Sequence, residues 1–142
     1  MGPDAFDFWL GEWDCLTEPG PATNSVTREY GGKVIVERFT ILPPRRWSGM
    51  SVSVFSEHDG SWHQTWVDQD ANYWHLVGGL VNGDPCFATT GKVDRDQSFK
   101  RMIFSDIEAD SLRWRWETSP DGETWTPRMT AAYTRRSGSQ PN

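Results

Sequence analysis

The chain has 142 residues, enough for one domain with a real core and too few for two ordinary ones. Its aliphatic content is low, but nine tryptophans offset that, since each indole buries roughly 150–250 Å²; the composition describes a folded domain with an aromatic interior. A net charge of −6, with lysines and arginines scattered among acids and basic pairs at Arg45-Arg46 and Arg135-Arg136, excludes a phosphate-tracking nucleic-acid surface, and no apolar run approaches the ~20 residues of a membrane-spanning helix.

Residues 3–10 read as a short helical or turn-like lid. The segment Phe6-Asp7-Phe8-Trp9-Leu10-Gly11-Glu12-Trp13 makes an aromatic plug that passes directly into a strand. Gly11 permits a sharp turn where a side chain would collide, and Trp13 then points inward to fill the closed end of a barrel. No basic region precedes an apolar stretch here, so no signal peptide is read and a cytoplasmic location is expected. After Gly11 the helical period disappears. Strand-like runs follow at 12–17, 25–30, 33–41, 49–56, 61–68, 73–80, 85–90, 99–108, 112–118 and 124–134.

The breaks between the runs carry turn chemistry: Glu18-Pro19-Gly20-Pro21, Gly31-Gly32, Pro43-Pro44, His58-Asp59-Gly60, Val81-Asn82-Gly83-Asp84 and Pro120-Asp121-Gly122. Short strands at regular spacing indicate an all-β domain. Successive hairpins and a Trp-lined interior indicate a single antiparallel up-and-down barrel of about 8–10 strands over residues 1–136. The small, polar tail 137–142 reads as disordered. Cys15 and Cys86 lack metal spacing and read as reduced, buried thiols.

Alternation sorts the strand faces. In 61–68, Trp62, Gln64, Trp66 and Asp68 share one face, and two indoles make that face internal. In 112–118 the inexpensive arrangement puts Leu112, Trp114 and Trp116 inside and Arg113, Arg115 and Glu117 outside, because each buried ion costs several kcal/mol unless well paired. In 124–134 one face holds Trp125, Pro127, Met129, Ala131 and Tyr133, and Arg135 continues it to lie over the Trp13 ring. In 49–56 hydrophobicity alone places Val52 and Val54 inward.

The plug together with Gly49-x-Ser51-x-Ser53-x-Phe55, Gly60-x-Trp62-x-Gln64-x-Trp66-Val67-Asp68, Gly78-Gly79, Trp116-Glu117-x-Ser119-x-Asp121-Gly122, Thr124-Trp125 and Tyr133-x-Arg135 resembles the DUF1579 family of calycin-like, lipocalin-like barrels. The resemblance runs over nearly the whole chain. It implies a central cavity lined by Glu37, Ser51, Ser53, Gln64, Trp66 and Asp68, which opposes the inward placement of Val52 and Val54. It carries no settled chemistry. The chain departs from the family pattern at Ser53 and Trp114, where Asn and Gln are commoner; a Trp in place of Gln narrows the cavity and makes it more apolar.

Three functional readings follow. The first is binding of a small apolar or aromatic molecule among Ser51, Ser53, Gln64, Trp66, Asp68, Trp114, Trp116 and Met129. The second is a cofactor-free cyclase, isomerase or hydratase, with Glu37, His75 and Tyr133 as candidate acid–base residues. Glu37 and Asp68 also have structural readings, as a bonded interior carboxylate and a turn cap. The third is an interaction protein with a filled core. The three histidines have no metal spacing, and no phosphate loop or nucleophile elbow is present, so no cofactor is assigned. A homodimer is the default oligomer.

Overall fold

Ten strands make up the chain: β1 (Gly11–Thr17), β2 (Gly20–Glu29), β3 (Val34–Ile41), β4 (Trp47–Ser56), β5 (Ser61–Asp68), β6 (Tyr73–Val81), β7 (Asp84–Thr89), β8 (Phe99–Ser105), β9 (Ser111–Ser119) and β10 (Thr126–Arg135). Each pairs antiparallel with the next in sequence, and β10 returns to β1, closing an up-and-down barrel. The description rests on a computed structural model covering residues 1–137. Apart from Ser137, the tail expected to be disordered lies outside the described residues. No helix among them is long and apolar enough to cross a membrane.

The N-terminal segment forms the plug expected from its aromatic residues. Asp7–Trp9 makes one 3₁₀ turn. Phe6 stacks on Phe87 with centroids 4.3 Å apart and meets Trp62 edge-on at 5.3 Å. Phe6, Trp9 and Trp13 are fully buried. Gly11 has φ +130°, a conformation that side chains disfavour, which is why the turn into β1 uses glycine. The Trp13 Nε1–H donates to the Trp9 carbonyl at 2.8 Å. Arg135 covers the Trp13 ring, its guanidinium carbon 4.2 Å from the centroid, and donates to the Leu10 and Ala109 carbonyls. This contact locks the last strand to the plug and closes one end of the barrel.

Two facing expectations are corrected. Ser51 and Ser53 point inward and are 1% exposed, whereas Val52 and Val54 lie outside at 38% and 37%. Cross-strand partners share a face, and Ser53 lies opposite the inward Gln64 while Ser51 lies opposite Glu37 and Trp66. β4 therefore follows its neighbours rather than its own hydrophobicity. In β10, Met129, Ala131 and Tyr133 face inward as expected, but Pro127 lies opposite Glu117 on the outer face. A register shift between Pro127 and Met129 inserts Arg128 as an extra residue, and residues before it change sides. Trp125 accordingly lies under the Arg101 guanidinium at 3.8 Å.

The indoles of β9 face the interior as expected, and the charges of that strand lie outside. Glu117 is nevertheless buried on the outer surface, bonded to Arg101 at 2.8 Å and Arg115 at 3.1 Å. Expected strand limits differ most at β2, which begins at Gly20 rather than 25. Thr17 Oγ1 donates to the Gly20 carbonyl and accepts from its N–H, so the β1–β2 reversal is complete before Pro21.

Candidate functional site: an aromatic cavity in the open end of the barrel

Opposite the plug, the barrel encloses a cavity of about 480 Å³. Its wall is a row of tryptophans from four strands. Trp47 and Trp66 lie nearly parallel at 22° with centroids 6.1 Å apart. Trp66 and Trp74 follow at 12° and 6.5 Å, then Trp74 and Trp116 at 22° and 5.0 Å. The spacing arises from strand pairing: Trp66 and Trp74 are direct cross-strand partners. Gly49 makes room for the row. A Cβ built there would lie 2.4 Å from the Trp66 ring, so only a residue without a side chain lets the indole lie flat against β4.

Each of three indoles has its N–H held by a loop or strand-end carboxylate. Trp47 donates to Asp70 at 2.8 Å, Trp66 to Asp68 at 2.9 Å, and Trp74 to both oxygens of Asp94 at 3.0 Å. Asp94 is braced in turn by Lys100 Nζ at 3.3 Å. Asp68 also accepts from the Asp70 and Asn72 backbone N–H groups, so its turn-capping and wall-holding roles coincide. Rings anchored in this way are fixed before any ligand arrives, which reduces the ordering cost of binding. Phe39, Ile41, Met102, Trp114 and Met129 complete the apolar lining.

The inner end of the cavity is polar. Glu37 and Tyr133 both line it, and both are buried. Glu37 accepts from Ser51 Oγ at 2.7 Å and from Asn24 Nδ2 at 2.8 Å, and the same Asn24 amide donates to Tyr133 Oη at 2.9 Å. Tyr133 in turn meets the Cys15 thiol. Burial pushes the Glu37 carboxyl above its usual range, and the Ser51 and Asn24 bonds only partly oppose this. No cationic side chain pairs with Glu37 among the described residues. Burial likewise pushes the Tyr133 hydroxyl well above its ordinary value and the Cys15 thiol up to about 12. The chain Ser51–Glu37–Asn24–Tyr133–Cys15 is therefore a buried hydrogen-bonded network in which burial disfavours the charged form of Glu37, Tyr133 and Cys15.

Of the residues expected in the site, Glu37, Trp66, Asp68, Trp114, Trp116, Met129 and Tyr133 line the cavity. Ser51, Ser53 and Gln64 do not; they lie behind the inner end, where Ser51 holds Glu37 and Gln64 donates to Ser53 at 3.1 Å. Asn24, which ties Glu37 to Tyr133, went unrecognised because a single Asn in a strand has no distinguishing pattern. Trp74 is also absent from the expected site, although its alternation with Tyr73 and His75 is a signal that places it inward. Trp47 was not legible, because it precedes the expected start of its strand.

His75 is on the outer surface and takes no part in the cavity. Its Nε2 lies 2.9 Å from His63 Nδ1, and His63 Nε2 lies 2.7 Å from Asp59. The physical reason is the β5–β6 register, which pairs His75 with the outward Thr65. Cys15 and Cys86 are free and buried. Among the described residues no three His, Cys, Asp or Glu side chains are grouped closely enough to hold a metal ion.

No protein-family model matches the chain, and no curated protein matches it.

Proposed function

We propose that the barrel binds a small, flat, largely apolar or aromatic molecule in its open end. The observation that carries this reading is the wall of four near-parallel indoles, three of them fixed by carboxylates, around a 480 Å³ cavity. Pockets of about 300–1,000 Å³ with apolar walls and a few placed polar groups are the usual small-molecule sites. A cavity of this size counts against a barrel filled by its own side chains. Glu37 and Tyr133 orient the buried end of the ligand by hydrogen bonding, and burial disfavours the charged form of each.

The reading keeps the chain in the DUF1579 family of lipocalin-like barrels, supported by the plug and by Arg135 stacked on Trp13.

The test is native mass spectrometry of freshly purified protein before and after organic extraction, with indole fluorescence read against a panel of aromatic compounds. A co-purified mass, or quenching by members of the panel, is expected. No bound mass together with no response across the panel overturns the reading.

A second reading, a cofactor-free enzyme, is favoured by one observation. Glu37 is a buried carboxyl with a raised pKa on the wall of an aromatic cavity, the condition in which a carboxylic acid can donate a proton near neutral pH. In that reading Glu37 is the general acid and Tyr133 positions the reacting oxygen. Chemical change of the co-purified molecule on incubation, abolished in Glu37→Gln with binding retained, distinguishes it from simple binding.

A further inference from the structure

We infer that the ligand is an aromatic anion, whose ring system lies along the indole wall and whose negative group sits at the mouth of the barrel. The inference rests on the binding reading above and names its ligand class. It comes from the charges around the mouth.

Five charged residues line that end of the cavity: Arg45, Arg46, Asp68, Asp70 and Arg128. The two carboxylates are already engaged. Asp68 accepts from the Trp66 indole, the Asn72 amide and two backbone N–H groups, and Asp70 accepts from the Trp47 indole. The three arginines are not engaged in the same way. None of them has a carboxylate within 4.0 Å among the described residues; Arg95 and Arg113 also lack one but do not line the cavity, and the other six arginines are each paired. Neutral donors leave Asp68 and Asp70 charged but fix where those charges point, so the opening carries three guanidiniums against two carboxylates, a small positive excess in a chain of net charge −6.

Two features put these arginines at the mouth. Arg128 is the extra residue of the β10 bulge, and bulges re-aim side chains at functional sites. Its Nε donates to Thr118 Oγ1 at 2.8 Å, which holds the side chain at the cavity while its terminal nitrogens remain for another acceptor. Arg45 and Arg46 come from the loop between β3 and β4, directly before Trp47, the first indole of the wall. The cationic rim thus joins the aromatic wall through the chain itself. A neutral hydrocarbon gains nothing from such a rim. A planar carboxylate, sulfonate or phosphate ester gains charge-assisted hydrogen bonds there, and guanidinium geometry suits all three groups.

The test uses two probes that share one skeleton. N-phenyl-1-naphthylamine is neutral, and 1-anilinonaphthalene-8-sulfonate carries a single negative group. Binding of each is read as quenching of indole fluorescence and as probe emission, in the native protein and in Arg45→Gln/Arg46→Gln/Arg128→Gln. These side chains are exposed, and far-ultraviolet circular dichroism confirms that the variant keeps the fold. The variant is expected to lose about tenfold in affinity for the sulfonate, and less than about twofold for the neutral probe. High salt should remove most of the sulfonate's loss by weakening its binding to the native protein. Equal changes for both probes, or a sulfonate affinity unchanged within twofold, overturn the anion inference and leave the binding reading standing. Failure of both probes to bind the native protein overturns the binding reading, and the inference with it.

Discussion

Replacing Glu37 by Gln should make the protein more stable as pH rises, and the gain should vanish in acid. Glu37 is 5% exposed, and desolvation raises its carboxyl above the ordinary 4.5 despite hydrogen bonds from Ser51 and Asn24. Above pH 4.5 the unfolded chain releases this proton while the folded chain keeps it. The native state then binds more protons than the unfolded state, so stability falls with pH. The limiting slope is about 1.4 kcal/mol per pH unit, and it persists until pH passes the folded pKa. Below 4.5 both states are protonated and the group contributes no pH dependence.

Gln has nearly the same shape and does not titrate. Its Oε1 can accept from Asn24 Nδ2 and its Nε2 can donate to Ser51 Oγ; the second Nε2–H and the Ser51 hydroxyl proton lose an acceptor, a constant offset that does not vary with pH. The assay is urea denaturation followed by indole fluorescence from pH 4 to pH 9, on both proteins. Other titrating groups cancel in the difference. The difference should be flat near pH 4, grow in favour of the variant above it, and level off at the folded pKa of Glu37. A difference that stays flat from pH 4 to pH 9 would refute the reasoning, because Glu37 would then ionise as freely in the fold as in water. A difference of opposite sign would mean that an unrecognised cation stabilises the carboxylate.

Gly49→Ala should lower stability by about 1–3 kcal/mol and reduce binding of planar probes, since its Cβ meets the Trp66 ring at 2.4 Å; urea denaturation and probe titration check both, and unchanged values would show that the indole row is not held against β4. Arg135→Lys keeps the charge but loses the fork that spans the Leu10 and Ala109 carbonyls and much of the stacking on Trp13, so a loss of roughly 1–3 kcal/mol is expected by the same denaturation assay. The Cys15 thiol, pushed up to about 12, should resist alkylation by iodoacetamide at pH 8 in the folded protein and react once unfolded, as read by mass spectrometry. Because that folded value lies above the ordinary 9.0, Cys15 also adds a loss of stability above pH 9 when the unfolded thiol ionises. Trp74→Phe removes the N–H anchored by Asp94 and the central ring between Trp66 and Trp116, and should weaken planar probes several-fold by fluorescence titration.

The closed barrel, the plug and the Trp13–Arg135 stack were legible because their signals are local. Asp-Gly and Asn-Gly turns, alternating indoles and a glycine before an inward Trp act within a few residues. The facing of β4 was not legible from its own residues. Its outer side carries Val52 and Val54 and its inner side Ser51 and Ser53, so hydrophobicity points the wrong way. What decides is the partner across the strand, Glu37 on one side and Gln64 on the other, and that information is long-range. The resemblance to a family pattern placed the serines inward where composition could not. The β10 bulge hid Arg128 for a related reason, since one inserted residue reverses the alternation of everything before it. The cationic rim depends on loop conformation and on which acids are already spent, and neither leaves a periodic trace.

The division of labour inside the cavity follows from where the indole N–H groups point. Those of Trp47, Trp66 and Trp74 are bonded to Asp70, Asp68 and Asp94, so they are unavailable to a ligand and the wall offers mainly π surface. Such a surface supplies affinity for flat molecules but little discrimination among them. Discrimination must then come from the two ends. At the inner end Glu37, Asn24 and Tyr133 are linked and buried, and an ionised group pressed against them would find no cation among the described residues. At the mouth Arg45, Arg46 and Arg128 offer an anionic group the cations it would lack inside. A ligand of the proposed class thus has one way in, neutral end first, and the barrel needs no moving part to impose it.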